Sequence, residues 1–362
     1  MNALTHRGAA ATRRAAVAGA AAVALLALAA CSSDSGDDAG GGDASPSGTE
    51  SEAAADAFPV TIDTAFGEVE IPEEPTRVVA LGWGDAETAL ALGVEPVGAS
   101  DWLAFGGDGV GPWLEDAYTE SPEIIGTLEP SYEQIAVLEP DVILDVKSSG
   151  DPERYERLSE IAPTVGVPEG GEAYLTPMED QVDMIAAALG RSDAGEKLLA
   201  EVDDAFAAVR EENPDFEGKT AVIGSYWAEG FGAYVSTSSR GEFMQSLGFV
   251  TKPEIDEAAG EEFSVNLGTE NLDLLDADLT VIQPIGFTAA EVEEQPLFQA
   301  VPSVADGRYV VFDDEDLSNA FSLGTPTAVI YAIDNVVPLF AEALGGSDPW
   351  RRSSREGGRR PR

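Results

Sequence analysis

The chain has 362 residues but only one cysteine, Cys31, and one histidine, His6. Both lie in or beside the N-terminal segment, so the body from residue 58 onward has neither a thiol nor an imidazole. That excludes a disulfide, a Cys/His zinc site, a cysteine nucleophile and a Ser–His–Asp triad in the body. Bases are scarce as well: 20 Lys and Arg stand against 67 Asp and Glu, a net charge of −47. Such a body repels nucleic acid and anionic membrane at long range and favours neutral or cationic ligands. Nucleotide motifs are missing too. Gly218-Lys219-Thr220 ends like a P-loop, yet Asn213 stands where the first glycine is required. Gly107-Asp108-Gly109-Val110-Gly111 lacks the spacing of a dinucleotide fingerprint, and no G-x-S-x-G elbow occurs. Asp313-Asp314-Glu315-Asp316 lacks the alternating ligands and central glycine of a calcium loop and reads as a solvated turn.

Hydrophobic residues make up 44% of the chain, which marks most of it as globular, and its length suits two domains. Residues 1–31 read as an export signal. Arg7, Arg13 and Arg14 form a positive start, and the apolar run 15–27 is too short and too Ala-rich for a comfortable membrane span. It ends in Leu28-Ala29-Ala30-Cys31, which resembles a bacterial lipobox, where the cysteine is acylated and becomes the mature N-terminus. Arg13-Arg14 leaves twin-arginine export open beside the general route. Residues 32–57 are Ser/Gly/Asp/Ala-rich and read as a flexible tether, and 347–362 as a disordered basic tail.

The body alternates strand and helix patterns. Residues 58–71 read as a β-hairpin turning at Phe66-Gly67 and closed by Pro72 and Pro75. Strands follow at 77–81, 94–99, 141–146 and 164–167, with helices at 85–92, 131–138 and from 155. This predicts an α/β fold with mostly parallel, doubly wound sheets. At 193–213 the spacing of Leu199, Val202, Phe206 and Val209 is that of one helical face, Asp193 and Glu196 mark its start, and Pro214 ends it. A helix of that length spans about 30 Å. It divides an N-terminal lobe, 58–192, from a C-terminal lobe, 214–346.

The second lobe restates the first. T-A-V-I-G from Thr220 parallels the strand from Arg77, and Glu242 to Gly248 repeats the spacing of Glu87 to Gly93. Y-E-Q-I-A-V-L-E-P-D-V-I from Tyr132 aligns with T-E-N-L-D-L-L-D-A-D-L-T from Thr269, matching Glu133 with Glu270 and Asp141 with Asp278. Two similar lobes imply a cleft between them, and ligands of open α/β sheets bind beyond the carboxyl ends of the strands. That rule points to Trp83, Trp102, Phe105 and Lys147-Ser148-Ser149 in the first lobe. In the second it points to Tyr226, Trp227, Tyr234, Arg240, Phe287 and the loop 316–321 with Phe321. Aromatic faces suit a bulky apolar ligand, and Arg240, in a body poor in bases, suits its oxygens.

R-V-V-A-L-G-W-G-D-A-E-T-A-L-A-L-G-V-E-P-V-G-A-S (77–100), Y-E-Q-I-A-V-L-E-P-D-V-I-L (132–144) and L-S-E-I-A-P-T-V (158–165) resemble the helical-backbone (class III) substrate-binding proteins of ABC importers. The resemblance spans residues 58–344. It implies two α/β lobes on one long helix, no catalysis and no cofactor, with iron entering only as a siderophore chelate. It also implies a monomer anchored through lipid on Cys31 at the outer face of the cytoplasmic membrane. Its partners are then a ferric siderophore and an ABC permease with its ATPase, and Glu133 and Glu270 are the carboxylates that dock on the permease. The charge favours a neutral or cationic hydroxamate chelate over a triply anionic catecholate. Vitamin B12 or haem in the same fold, and an exported carboxylate-based hydrolase, stay open at this point.

Overall fold

The computed structural model describes residues 58–260 and 262–345, all within one unit, 47–362. The export signal, Cys31, the tether and the basic tail lie outside the described residues. Among those described, no helix is long and apolar enough to cross a membrane.

An N-terminal hairpin pairs β1 (Val60–Thr64) with β2 (Gly67–Ile71), Val60 opposite Ile71. Its turn falls on Ala65-Phe66, one residue earlier than the Phe66-Gly67 expectation, because Gly67 already pairs with Thr64. The first sheet holds β3 (Val78–Ala80), β4 (Gly98–Ser100), β5 (Glu123–Ile125), β6 (Val142–Leu144) and β7 (Thr164–Val165) in the order β5-β4-β3-β6-β7, all parallel. β3 and β6 are buried throughout, hence their unbroken apolar sequences. Strand order reverses between them.

The second sheet runs β11-β9-β8-β12-β13, with β10 beside the start of β8; these are β8 (Thr220–Trp227), β9 (Gly230–Tyr234), β10 (Val250–Thr251), β11 (Ser264–Leu267), β12 (Leu279–Pro284) and β13 (Tyr309–Val311). Here the expectation of parallel winding fails on one side, since β9 is antiparallel to both β8 and β11. Only Ala228 and Glu229 separate β8 from β9, and a parallel crossover needs a dozen residues or more. Gly230, at φ +112°, closes that hairpin in a conformation side chains resist.

The internal repeat is physical. Asp141 accepts hydrogen bonds from the Arg77 N–H (2.9 Å) and from Thr76 N–H and Oγ1 (both 2.8 Å). Asp278 accepts from the Thr220 N–H (2.8 Å) and Oγ1 (3.0 Å). Each carboxylate thus sits just before one central strand and ties down the start of its parallel neighbour, β3 in one sheet and β8 in the other.

A 21-residue helix, Ser192–Glu212, runs between the two sheets in the chain. It starts at Ser192, with Arg191 as an N-cap that makes no side-chain bond, and Asp193 falls in its first turn instead of capping it. Near its start Gly195 lies so close to the helix Met178–Ala188 that an added Cβ would meet the Ala186 Cβ at 2.8 Å. Further along, Val202, Phe206 and Val209 enter the core of the second sheet. One helix therefore contributes to two cores.

Polar ties join the lobes. The Trp83 indole donates to the Leu323 carbonyl (2.9 Å), and Trp113 packs on Tyr331 with ring centroids 5.2 Å apart. Glu87, 3% exposed, accepts from the Gly111 N–H (3.0 Å), Trp113 Nε1 (2.9 Å) and Thr325 Oγ1 (2.8 Å). Burial raises its pKa, and the three donors pull it back toward the ionised form. Glu87→Ala strands three donors in the boundary and should lower stability by about 2–4 kcal/mol. Urea unfolding should show this as a lower midpoint at unchanged slope.

Candidate functional site

A cleft of about 1350 Å³ opens between the lobes. The first lobe builds its wall from loops beyond strand ends. Gly82-Trp83-Gly84 follows β3, and the Trp83 N–H donates to the Lys147 carbonyl after β6 (2.8 Å), at the point where strand order reverses. Trp83 lies 5.8 Å from Trp102, which lies edge-on to Tyr174 at 5.5 Å. The Trp102 indole is held by the Leu81 carbonyl (2.9 Å). Leu103 and Leu128 extend this apolar face, and Leu128 is 70% exposed.

Asp85 supports the wall from beneath. It is fully buried and accepts from the Gly82 N–H (3.1 Å), the Val146 N–H (2.8 Å) and Gln181 Nε2 (2.7 Å), so it clamps the ends of β3 and β6 together. Desolvation raises its pKa to about 6 despite those donors. Next to it the Arg154–Asp145 pair is buried and bidentate, with Nη2 at 2.7 Å, and Arg154 Nη1 also holds the Thr127 carbonyl (3.0 Å).

The second lobe offers Tyr234, Phe263, Phe287 and one cation, Arg240. The guanidinium lies 4.2 Å from the Tyr234 ring centroid, and its Nε donates to Gln283 Oε1. The Gln283 amide cannot turn away. Its Nε2 is held by the Ser318 carbonyl (2.9 Å), Ser318 Oγ (2.9 Å) and Ser322 Oγ (2.6 Å), which aims Oε1 at Arg240. Among the described residues the ion pairs are Arg154–Asp145, Arg191–Glu74 and Arg308–Asp306, so Arg240 has no carboxylate partner in a protein crowded with carboxylates. Burial lowers its pKa, but not enough to take a guanidinium out of its charged form. The rim beyond carries Glu291, Glu293, Asp313, Asp314 and Glu315. Three of these are engaged: Glu291 in a capping box with Thr288, Glu293 with the Tyr309 hydroxyl (3.1 Å), and Asp314 as an N-cap.

Of the nine aromatic and arginine residues expected at the ligand, the cleft gathers Trp83, Trp102, Tyr234, Arg240 and Phe287. Phe105 turns aside onto Trp113 (5.7 Å) and lines a small neighbouring cavity. Tyr226 packs between Phe231 (4.6 Å) and Phe287 (4.9 Å), and Trp227 sits opposite Gly230 in the hairpin; neither lines the cleft. Phe321 is a core residue, 1% exposed against Phe243, Phe312 and Phe340. The expected loop 316–321 is part of a helix, Glu315–Leu323, and its inward face carries Phe321 into the core. Lys147 is 2% exposed and lies below the cleft surface. Its pKa falls to about 8, first through burial, with Glu242 and then Asp85 opposing, so it is charged at neutral pH.

Tyr174 and Gln283 escaped the sequence reading. Tyr174 follows β7 in a Gly-rich loop, so the strand-end rule would have found it. Gln283 is a lone amide in the apolar strand L-T-V-I-Q-P, a polar signal inside a buried run. Glu133 is exposed in the first turn of the helix Tyr132–Val137, capped by Ser131. Glu270 is exposed too, in the turn before a single 3₁₀ segment, Leu272–Leu275, so the aligned blocks differ in local structure.

Comparison with known proteins agrees with this architecture. A family model described as periplasmic binding protein matches residues 78–316. The Fe(3+)-citrate-binding protein YfmC of Bacillus subtilis is 30% identical over 265 residues, covering 70% of this chain and 78% of the relative. PiaA of Streptococcus pneumoniae in complex with ferrichrome superposes with a TM-score of 0.69 at 25% identity, over 80% of this chain and 100% of that one. SirA of Staphylococcus aureus complexed with staphyloferrin B gives 0.66 at 25% identity, over 79% and 98%.

The Asp85 geometry carries a signed pH dependence. Its folded pKa of about 6 exceeds the ordinary 3.8, so the folded state holds the extra proton between those values. Its contribution to stability is therefore lost as pH rises through that window. Relative to Asp85→Asn, the wild type should lose about 2–3 kcal/mol between pH 4 and pH 7. Denaturant titrations of both proteins at the two pH values check this; a constant difference contradicts it.

Proposed function

The chain belongs to the periplasmic binding protein family, and from that premise we propose that it is the siderophore receptor of an ABC importer. It captures a ferric siderophore outside the cytoplasmic membrane, anchored there through lipid on Cys31, and hands the chelate to a permease. The observation that carries this reading is Arg240, a cation without a carboxylate partner, facing an aromatic wall across the cleft. The rings cover the apolar faces of a chelate, and the guanidinium takes its oxygens. Recognition of this kind needs no bond chemistry and no metal ligand from the protein. The relative and the structural neighbours, named for ferric citrate, ferrichrome and staphyloferrin B, support the ligand class.

Charge favours a neutral or cationic hydroxamate chelate. One base and five acids line the cleft, so a multiply anionic ligand meets a net repulsive field. A carboxylate-type chelate is the second reading, favoured by the relative named for ferric citrate. Quenching of Trp83 and Trp102 fluorescence by ferrichrome and by ferric citrate separates the two. Ferrichrome should bind at least tenfold more tightly, which corresponds to about 1.4 kcal/mol. The reverse order selects the carboxylate reading, and no saturable quenching by either removes both.

Two variants test the named roles. Arg240→Ala should weaken the favoured chelate by about 2 kcal/mol or more, because it removes a charged donor from a partly dry site; unchanged affinity takes Arg240 out of recognition. Glu133 and Glu270 are the proposed permease contacts, exposed at matched positions of the two repeats. Reversing either charge to Lys should cut uptake by whole cells and leave chelate affinity within twofold. Normal transport by both variants would refute the docking role.

A further inference from the structure

The repeated spacing of Glu87 to Gly93 and Glu242 to Gly248 is used by neither the cleft wall nor the docking surface. Both glutamates instead lie at the start of a helix in the opposite lobe, and Glu87 bonds to it. Glu87 accepts from Thr325 Oγ1 (2.8 Å), the N-cap of the helix Pro326–Ala343. Glu242 lies near the backbone N–H of Met178, the first residue of the helix Met178–Ala188, which lowers its pKa against the rise caused by burial. That helix has Pro177 at its N-cap and no side-chain cap of its own, so the negative charge of Glu242 stands near an N-terminus that favours it.

Glu242 stands in the first turn of the helix Ser239–Ser246, whose start reaches the cleft. The buried Lys147 of the first lobe donates from Nζ to Ser239 Oγ (2.9 Å), and the charge of Glu242 opposes the lowering of its pKa by burial. A cation beside a helix N-terminus is unfavourable in isolation, and the first-turn glutamate offsets it. Ser239 is also wedged from behind. Gly324 lies against it at φ +72°, where an added Cβ would stand 2.4 Å from the Ser239 Cβ. The residue after Ser239 is Arg240, the cation of the cleft.

We propose that Lys147 is a positioning residue for ligand recognition: reaching across the lobe boundary, it fixes Ser239 and thereby holds the Arg240 guanidinium at Tyr234 and Gln283 before a ligand arrives. This rests on the siderophore reading of the cleft. It adds that the first lobe, which supplies the aromatic wall, also sets where the second lobe's cation stands.

A double-mutant cycle on the full chain tests it, with ferrichrome and ferric citrate as probes. Lys147→Met, and separately Ser239→Ala, should each weaken the better-binding probe by about tenfold in the wild-type background and by less than twofold in the Arg240→Ala background. Equal losses in both backgrounds, or no loss in the wild type, overturn the proposal, since a merely structural role is indifferent to Arg240. A ligand-free arm covers the case in which neither chelate binds and the functional reading itself fails. In Lys147→Met, amide exchange at residues 238–241 should accelerate while the strands of both sheets keep their protection. Uniform acceleration, or none, overturns the cross-lobe tie.

Discussion

Buried polar contacts across the lobe boundary are the constraint on which the cleft depends. The buried Glu87 carboxylate depends on its donors Gly111, Trp113 and Thr325, which come from two separate stretches of chain, one in each lobe. Trp83 gives its indole N–H to the Leu323 carbonyl of the other lobe, so a ring that lines the cleft is also a tie between lobes. Such contacts stabilise little in net terms, because the groups were hydrogen-bonded to water before folding. They are unforgiving when broken, because no water replaces a lost partner in the boundary. Lobes joined in this way resist small relative displacements, and the width of the cleft follows.

The cleft itself is asymmetric in chemistry. One wall is aromatic and aliphatic, held by backbone hydrogen bonds beyond β3 and β6. The opposite wall presents a single guanidinium whose nearest neighbours are a ring and an amide. Gln283, locked by Ser318 and Ser322, occupies the place a carboxylate would take and leaves the charge of Arg240 uncompensated. A neutral amide partner orients the guanidinium without quenching the field that a ligand's oxygens meet.

Much of this was legible in the sequence, because it rests on local patterns. The buried strands β3 and β6 read as unbroken apolar runs, and the long helix as a three-and-four spacing. The aligned acids Asp141 and Asp278 perform the same task in the two sheets, so the repeat in the sequence is a repeat of hydrogen bonds. Trp83, Trp102, Tyr234, Arg240 and Phe287 line the cleft, as expected of residues at or beyond strand ends, although Tyr234 closes β9 and Arg240 stands in the first turn of a helix. The same rule misplaced residues whose side chains face elsewhere. Trp227 belongs to a tight antiparallel hairpin, and Phe321 to a helix whose inner face is core.

The sequence alone determined the class of the fold, the acidic field and the absence of thiol or imidazole chemistry from the body. Those follow from composition and from periodicities of two and 3.6 residues, which local backbone geometry imposes. Only the tertiary structure decided which aromatic rings face the cleft, that Arg240 has no ion-pair partner among the described residues, and that Glu87 and Lys147 bond across the boundary. Periodicity records that a side chain is buried and is silent about what buries it. Phe321 and Trp83 carry equally good aromatic signals, yet one packs on Phe340 in the core and the other lines the cleft beside Trp102. The bond between Glu87 and Thr325 joins residues 238 apart, a distance no local pattern spans.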